Sequence, residues 1–279
     1  MAVDPQETKV PVVLTIAGSD SGSGAGIQAD LKTFAAHGVH GTSAITAVTA
    51  QNTLGVTAVQ EVDLDVIAAQ IDAVVEDMHP VAVKTGMLSS PEIVRLVAAK
   101  ANEYGWQTLV VDPVMVASSG ARLLRDEAVE TYRTELLPLA AVTTPNLLEA
   151  TELTGIEIAS SGDVREAAKA ISVLGVKYVV VKGGHMEVAG ESRDLLYDGS
   201  DFVEFGLPWI DTTSTHGTGC TFAAAVTAQL ALGRPLEEAV PLAQQYVAGG
   251  IRSAPDLGRG HGPMDHFWKT LDPRSSGAR

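Results

Sequence analysis

One cysteine, few aromatic residues and a shortage of basic side chains set the first limits on this chain. The single Cys220 excludes an intramolecular disulfide and a multi-cysteine metal site. With 19 lysines and arginines against 34 aspartates and glutamates, the formal net charge is −15. That charge speaks against nucleic acid or an anionic membrane as partner, because both need a positive protein surface. Ordinary solubility accounts for the acid excess, as would a salt-adapted host. The same field repels nucleotides. A phosphate site in this chain must therefore be built locally, from backbone N–H groups, a few lysines and a metal ion. No apolar run reaches the roughly 18 residues of a membrane span. Residues 1–10 carry neither the basic nor the apolar segment of a secretion signal. A cytoplasmic globular protein is expected.

What is present is Ala, Val, Leu and Gly, within a hydrophobic content of 46% that suffices for a large core. Such a composition suits helices packed closely on a parallel sheet. Apolar, β-branched runs predict strands at Val12–Ile16, Val81–Val83, Leu109–Val111, Ala141–Thr143 and Tyr178–Val181. Helical periodicity predicts helices over Ala25–His37, Val66–Val75, Pro91–Tyr104, Glu127–Leu137 and Val164–Leu174, then Thr218–Leu232 and Pro235–Ile251. Arg193–Leu207 breaks the rhythm and reads as two strands joined at Asp198–Gly199. Strand alternating with helix implies βαβ units and a mostly parallel α/β sheet covered on both faces. No linker or repeat divides the chain, so one domain spanning residues 1–279, with its core at about 11–268, is expected. Ligands should bind beyond the carboxyl ends of the strands.

Two glycine-rich segments stand at such places. Gly18-Ser-Asp-Ser-Gly-Ser-Gly-Ala-Gly26 joins a strand to a helix, yet fits neither the P-loop nor the dinucleotide fingerprint. Either it is a tight connector or it lets backbone approach a ligand. Thr215-His-Gly-Thr-Gly-Cys-Thr221 opens a small-residue helix. Gly217, Thr218 and Gly219 there present N–H groups at a positive dipole end, an anion hole suited to a phosphoryl group in transfer. Cys220 lies in the first turn, where a lowered thiol pKa is expected; the alternative is an inert cysteine behind a capping Thr218. His216 by itself reads as a cap or structural residue. Asp30 flanks the apolar face of Ile27, Leu31 and Phe34, either as a solvated rim residue or as a group accepting a ligand hydroxyl. Asn146 and Glu149 sit one helical turn apart and fit hydrated Mg²⁺ beside phosphates, or a plain N-cap. Lys182 is a nucleotide contact or a solvated charge, and Asp112 a turn residue or a metal-side carboxylate.

Taken in order, several strings closely resemble the hydroxymethylpyrimidine/phosphomethylpyrimidine kinases: Gly24-Ala-Gly-Ile-Gln-Ala-Asp-Leu-Lys32, Ala50-Gln-Asn-Thr53, Lys84-Thr-Gly-Met-Leu88, Thr144-Pro-Asn146, Lys182-Gly-Gly-His185 and His216-Gly-Thr-Gly-Cys-Thr221. The resemblance runs over nearly the whole chain. It implies a ribokinase-like, three-layer α/β/α fold with a central, mostly parallel sheet. It implies ATP and Mg²⁺ as cofactors and successive phosphorylation of 4-amino-5-hydroxymethyl-2-methylpyrimidine to the mono- and diphosphate in thiamin biosynthesis. By the same resemblance the pyrimidine pocket falls on Gly18, Asp30, Gln51, Met87, Val114 and Cys220. The nucleotide side falls on Lys182, Asn146 and Glu149, with Gly217, Thr218 and Gly219 as anion hole; Asp112 and Glu149 would face Mg²⁺ through water. Related sugar kinases carry an aspartate where Cys220 stands. The first loop reads Asp20-Ser-Gly-Ser-Gly24 where many relatives have Asp-Pro-Ser-Gly-Gly, which affects the loop's conformation and not its place. The rival readings are a pyridoxal or pyridoxine kinase of the same fold and a non-catalytic pyrimidine-binding regulator. A homodimer is the assembly the resemblance admits, and the sequence does not fix it.

Overall fold

The computed structural model describes residues 10–116, 120, 123–183, 187–188 and 190–269. The first half comprises β1 (Val12–Asp20), α1 (Gly26–Ala36), β2 (His40–Asn52), β3 (Gly55–Glu61), α2 (Leu64–Met78), β4 (Ala82–Thr85), α3 (Pro91–Tyr104) and β5 (Leu109–Val111). The second comprises α4 (Asp126–Thr131), β6 (Val142–Thr143), α5 (Leu147–Thr154), α6 (Ser161–Ser172) and β7 (Tyr178–Val181). It ends with β8 (Glu187–Val188), β9 (Glu191–Tyr197), β10 (Phe202–Pro208), α7 (Thr218–Ala231) and α8 (Leu236–Arg252). The strands form one sheet in the order β10-β9-β7-β6-β5-β4-β1-β2-β3, with β8 beside β9. Its centre, from β7 to β2, is parallel, and β3, β8, β9 and β10 run antiparallel at the two ends.

The two-residue alternation of each strand divides the core into two faces. Leu14, Ile16, Leu109, Val111, Val179 and Val181 point to α2, α3, α5 and α6. The alternate residues Val13, Val110, Val142 and Val180 point to α1, α7 and α8. α7 can lie flush on the sheet because its buried face is largely alanine, with Ala223, Ala224, Ala225 and Ala228 unexposed. The result is the α/β/α sandwich expected. Among the described residues no helix is long and apolar enough to cross a membrane.

Two regions depart from the sequence reading. β2 and β3 carry no apolar alternation that would betray them. β2 buries Thr42, Ala44, Thr46 and Thr49 and leaves Val48 half exposed, so its inward face is small and polar. The helix expected over Glu127–Leu137 is α4 followed by a π turn (Tyr132–Leu136) and a 3₁₀ turn (Leu137–Leu139). Pro138, which has no N–H to donate, falls in that last turn. The hairpin at Asp198–Gly199 is present as β9 and β10, with Gly199 at φ +98°.

Candidate active site

β1 lies between β4 and β2, and the chain leaves β1 through α1 on one face and reaches β4 through α2 on the other. Strand order therefore reverses at β1/β4, and crevices open at such points beyond the strand ends. A cavity of about 810 Å³ occupies this place. Gly18, Gln51, Met87, Val114, Asp112, Asn146, Glu149, Lys182 and Gly217–Cys220 all line it. Of the residues expected in the site, only Asp30 does not.

The two glycine segments lock together. Gly217 is the N-cap of α7 at φ +78°, a left-handed conformation that favours glycine. A Cβ there would also overlap the carbonyl oxygen of Gly24. The start of α7 has no side-chain cap: Thr218 Oγ1 donates instead to Thr215 O at 3.0 Å. This corrects the reading of Thr218 as a cap. It leaves the helix dipole directed at the cavity, the arrangement that binds anions.

Lys182 stands beside this helix end. A Cβ on Gly219 would lie 3.2 Å from its Nζ, so the ammonium packs closely against this glycine. Lys182 donates to Asp112 Oδ1 at 2.8 Å and lies 4.0 Å from Glu149 Oε2, with its side chain 12% exposed. It is not a solvated charge. Burial opposes that charge, but Asp112 and Glu149 outweigh burial and raise the pKa. Asn146 and Glu149 form a capping box at the start of α5: Glu149 N donates to Asn146 Oδ1 at 2.9 Å, and Asn146 N to Glu149 Oε2 at 2.7 Å. Glu149 is thus both cap and cavity wall. Burial pushes its carboxyl up to about 7, with Asp112 adding to the shift and Lys182 opposing it. Asp112 Oδ1 also accepts from Thr144 Oγ1 at 3.1 Å, while its buried Oδ2 has no hydrogen-bond partner. An orphaned carboxylate oxygen near a carboxyl that resists ionising is a place where positive charge is wanted. Among the described residues no three His, Cys, Asp or Glu converge as a direct cage. The pair fits a hydrated Mg²⁺ held mainly by phosphates.

Two expectations are corrected here. The Cys220 thiol is not activated: burial pushes it up to about 11, Lys84 opposing and Asp112 and Asp30 adding. Helix-end stabilisation of a thiolate loses to desolvation. Asp30 is not a rim residue, because it is wholly buried. Thr15 Oγ1 donates to its Oδ2 at 2.6 Å, and Lys84 Nζ lies 3.0 and 2.9 Å from its two oxygens. Thr15 on β1 and Lys84 on β4 are in-register partners, so both side chains meet α1 from the same face. Burial works against the Lys84 charge, but the Asp30 carboxylate overrides it and raises the pKa.

Sequence reasoning gave no role to Lys84 or Asp20 and read His216 as a cap or structural residue; all three line the cavity. Asp20 organises the first glycine loop: its Oδ1 accepts Gly22 N at 2.7 Å, and its Oδ2 accepts Gly24 N at 3.0 Å and Ala25 N at 2.8 Å. His216 Nε2 lies 2.8 Å from the same Oδ2. Burial would raise the Asp20 carboxyl, but the hydrogen bonds from His216 and the backbone prevail and hold it below its usual range. A charged residue inside an apolar strand run was the available signal for Lys84. Ser21 clamps the backbone of Gln51, donating to its carbonyl and accepting its N–H, both at 2.8 Å. Met87 and Gly18 are in contact, since a Cβ on Gly18 would meet Met87 Sδ at 3.1 Å. His185 lies outside the described residues.

The family model described as phosphomethylpyrimidine kinase matches residues 20–265. The hydroxymethylpyrimidine/phosphomethylpyrimidine kinase of Bacillus subtilis is 51% identical over 254 residues, covering 91% of this chain and 94% of that protein. The thiamine biosynthesis bifunctional protein ThiED of Geobacter sulfurreducens is 50% identical over 262 residues, 94% of this chain and 53% of that protein. The ADP complex of Bacillus subtilis pyridoxal kinase is similar with a TM-score of 0.88 at 40% identity, covering 95% of this chain and 100% of that one. A ribokinase-like sandwich, a glycine-lined helix end beside a buried lysine, and a match from Asp20 to Asp265 agree: this chain belongs to the phosphomethylpyrimidine kinase family.

Proposed function

We propose that this chain transfers the γ-phosphoryl group of ATP to the hydroxymethyl oxygen of 4-amino-5-hydroxymethyl-2-methylpyrimidine, then a second to the resulting monophosphate, in thiamin biosynthesis. The observation that carries this reading is the placing of Lys182 against Gly219 at the open end of α7, in one cavity with Gln51 and Met87. The relatives, pyrimidine kinases at about half identity, support the choice of substrate.

In each step the acceptor oxygen bonds to the γ-phosphorus while the bond to the β,γ-bridging oxygen breaks and ADP leaves. Such transfers pass through a loose transition state and depend on positioning and charge neutralisation. The N–H groups at the start of α7, at Gly217, Thr218 and Gly219, and the Lys182 ammonium supply that neutralisation. Mg²⁺, when bound, would neutralise phosphate charge and offset the field of this acidic protein. Asp112 and Glu149 would hold its waters. With a pKa of about 11, Cys220 carries its proton at neutral pH. It therefore orients the alcohol rather than deprotonating it, and the alcohol proton leaves late, onto a transferred phosphoryl oxygen or to water. The second acceptor, a phosphate oxygen, is largely ionised near neutral pH and needs no base.

Pyridoxal is a second reading, favoured by the similarity to a pyridoxal kinase structure. A regulator that only binds pyrimidines would have no use for the helix end and Lys182. Phosphorylation assays with hydroxymethylpyrimidine, its monophosphate and pyridoxal side by side decide among the three. Turnover of pyridoxal alone would reject the pyrimidine assignment, and no turnover of any would reject the kinase.

A further inference from the structure

The side chain of Gln51 sits between two groups whose hydrogens are already committed. Thr49 Oγ1 lies 2.9 Å from Ser19 O and 3.2 Å from Gln51 Oε1. A hydroxyl has one hydrogen, and Ser19 O, a carbonyl, can only accept it. Thr49 is therefore left as an acceptor facing Gln51, and it meets another acceptor. On the other side, His216 Nε2 lies 2.8 Å from Asp20 Oδ2 and 3.4 Å from Gln51 Nε2. Asp20 takes three backbone N–H bonds and is acceptor-only, so His216 Nε2 must carry the hydrogen. There Gln51 meets a donor with a donor. Turning the amide by half a turn resolves both conflicts at once, because amide nitrogen and oxygen are near-isosteric.

We infer that Thr49 and His216 are specificity-determining residues: together they fix the Gln51 amide with its nitrogen toward Thr49 and its oxygen toward His216. This rests on the pyrimidine-kinase reading and deepens it. The amide then keeps one N–H and one oxygen lone pair for a ligand, in a fixed left-to-right order. That order matches a ring nitrogen next to an exocyclic amine, the amidine edge of an aminopyrimidine, in one orientation only. A pyridine carrying a phenolic oxygen has no such adjacent pair. The relay Ser19–Thr49–Gln51–His216–Asp20 is anchored at both ends in the carboxyl end of β1, which also carries Gly18 and leads into the glycine loop. Substrate selection and the glycine loop are thus one structure.

Two measurements test this. Neutron diffraction on the perdeuterated protein should place deuterium on the Gln51 atom facing Thr49, and only the imidazole's own deuterium between Gln51 and His216. Amide deuterium directed at His216 overturns the inference. In kinetics, Thr49→Val removes the acceptor and frees the amide to take either sense. It should raise KM for hydroxymethylpyrimidine about tenfold, with kcat within about threefold and KM for ATP unmoved. Thr49→Ser should restore it. An unchanged KM in Thr49→Val, or a Thr49→Ser variant as poor as the valine, assigns Thr49 to packing alone and overturns its role. If the wild type does not turn over the pyrimidine, the proposed function fails, while the neutron map still decides the amide sense.

Discussion

Lys84 and Asp30 form an ion pair with no solvent contact on either side chain, 2.9 Å apart at the point where strand order reverses. Removing one member of such a pair leaves an uncompensated charge in the interior, whereas replacing both can be nearly neutral. Lys84→Met and Asp30→Asn should each cost about 3–5 kcal/mol in urea unfolding. The double variant Asp30→Leu with Lys84→Met should be more stable than either single one. Additive losses would show that the two residues act independently.

Cys220→Ala should lower turnover by at least about tenfold with the fold intact, because the thiol, which lines the cavity, is proposed to orient the acceptor alcohol. Alkylation by iodoacetamide, followed by mass spectrometry, should be slow near neutral pH and accelerate until the pH approaches 11, in line with a thiol pushed up by burial. A plateau near neutral pH would show an activated thiolate. Cys220→Asp places a third carboxylate near Asp30 and Asp112, both of which already act on this position. It should retain more of the first phosphorylation than of the second, whose acceptor is itself anionic. Equal losses would refute the electrostatic account.

Glu149 titrates at about 7 in the folded protein, above its usual 4.5. For an acid raised on folding, the associated stability is full below about pH 4.5 and is lost as pH rises through about 7. Glu149→Gln keeps a carbonyl to accept the Asn146 N–H and never ionises. It should therefore exceed the wild type by on the order of 1 kcal/mol or more above about pH 8, the two converging in acid. Thermal melts across that range check it, and a pH-independent difference contradicts it. The same variant should lose activity, since the carboxylate is proposed to hold the waters of Mg²⁺.

His79 ends α2 in the left-handed region, at φ +50°, with its side chain exposed. A non-glycine residue there is strained by about 1–2 kcal/mol. His79→Gly should stabilise the protein by up to about 1 kcal/mol, less than the full relief because glycine gains freedom in the unfolded chain. Chemical denaturation measures it, and a loss of stability would mean that the imidazole makes a contact worth more than the strain.

The sandwich was legible because its central strands are apolar runs and its helices have clean periodicity; α3 begins and ends where the pattern says, at Pro91 and Tyr104. β2 was not, since the face it buries is built of threonine and alanine and its valine points outward. The glycine-lined helix end and the lysine beside it could be read because glycine and a strand-end position are local signals. The burial of Asp30 could not be read, for the opposite reason. Its partner Lys84 lies 54 residues away, and only the pairing of β1 with β4 brings the two together. The Cys220 thiol misled likewise: the helix end is visible in sequence, while the depth of protein around it is not.

The contact between the two glycine segments governs when the site can exist. Asp20 and His216 are 196 residues apart. Gly24 receives Gly217 with no space for a Cβ between them. A growing chain can assemble β1 through β7 on the ribosome and still possess no phosphate pocket, because α7 is made after all of them. Contacts of such long span are slow to close. A pulse-labelled chain should thus acquire protease resistance in its sheet well before it can retain a nucleotide, and catalytic competence should arrive as the final event of its maturation.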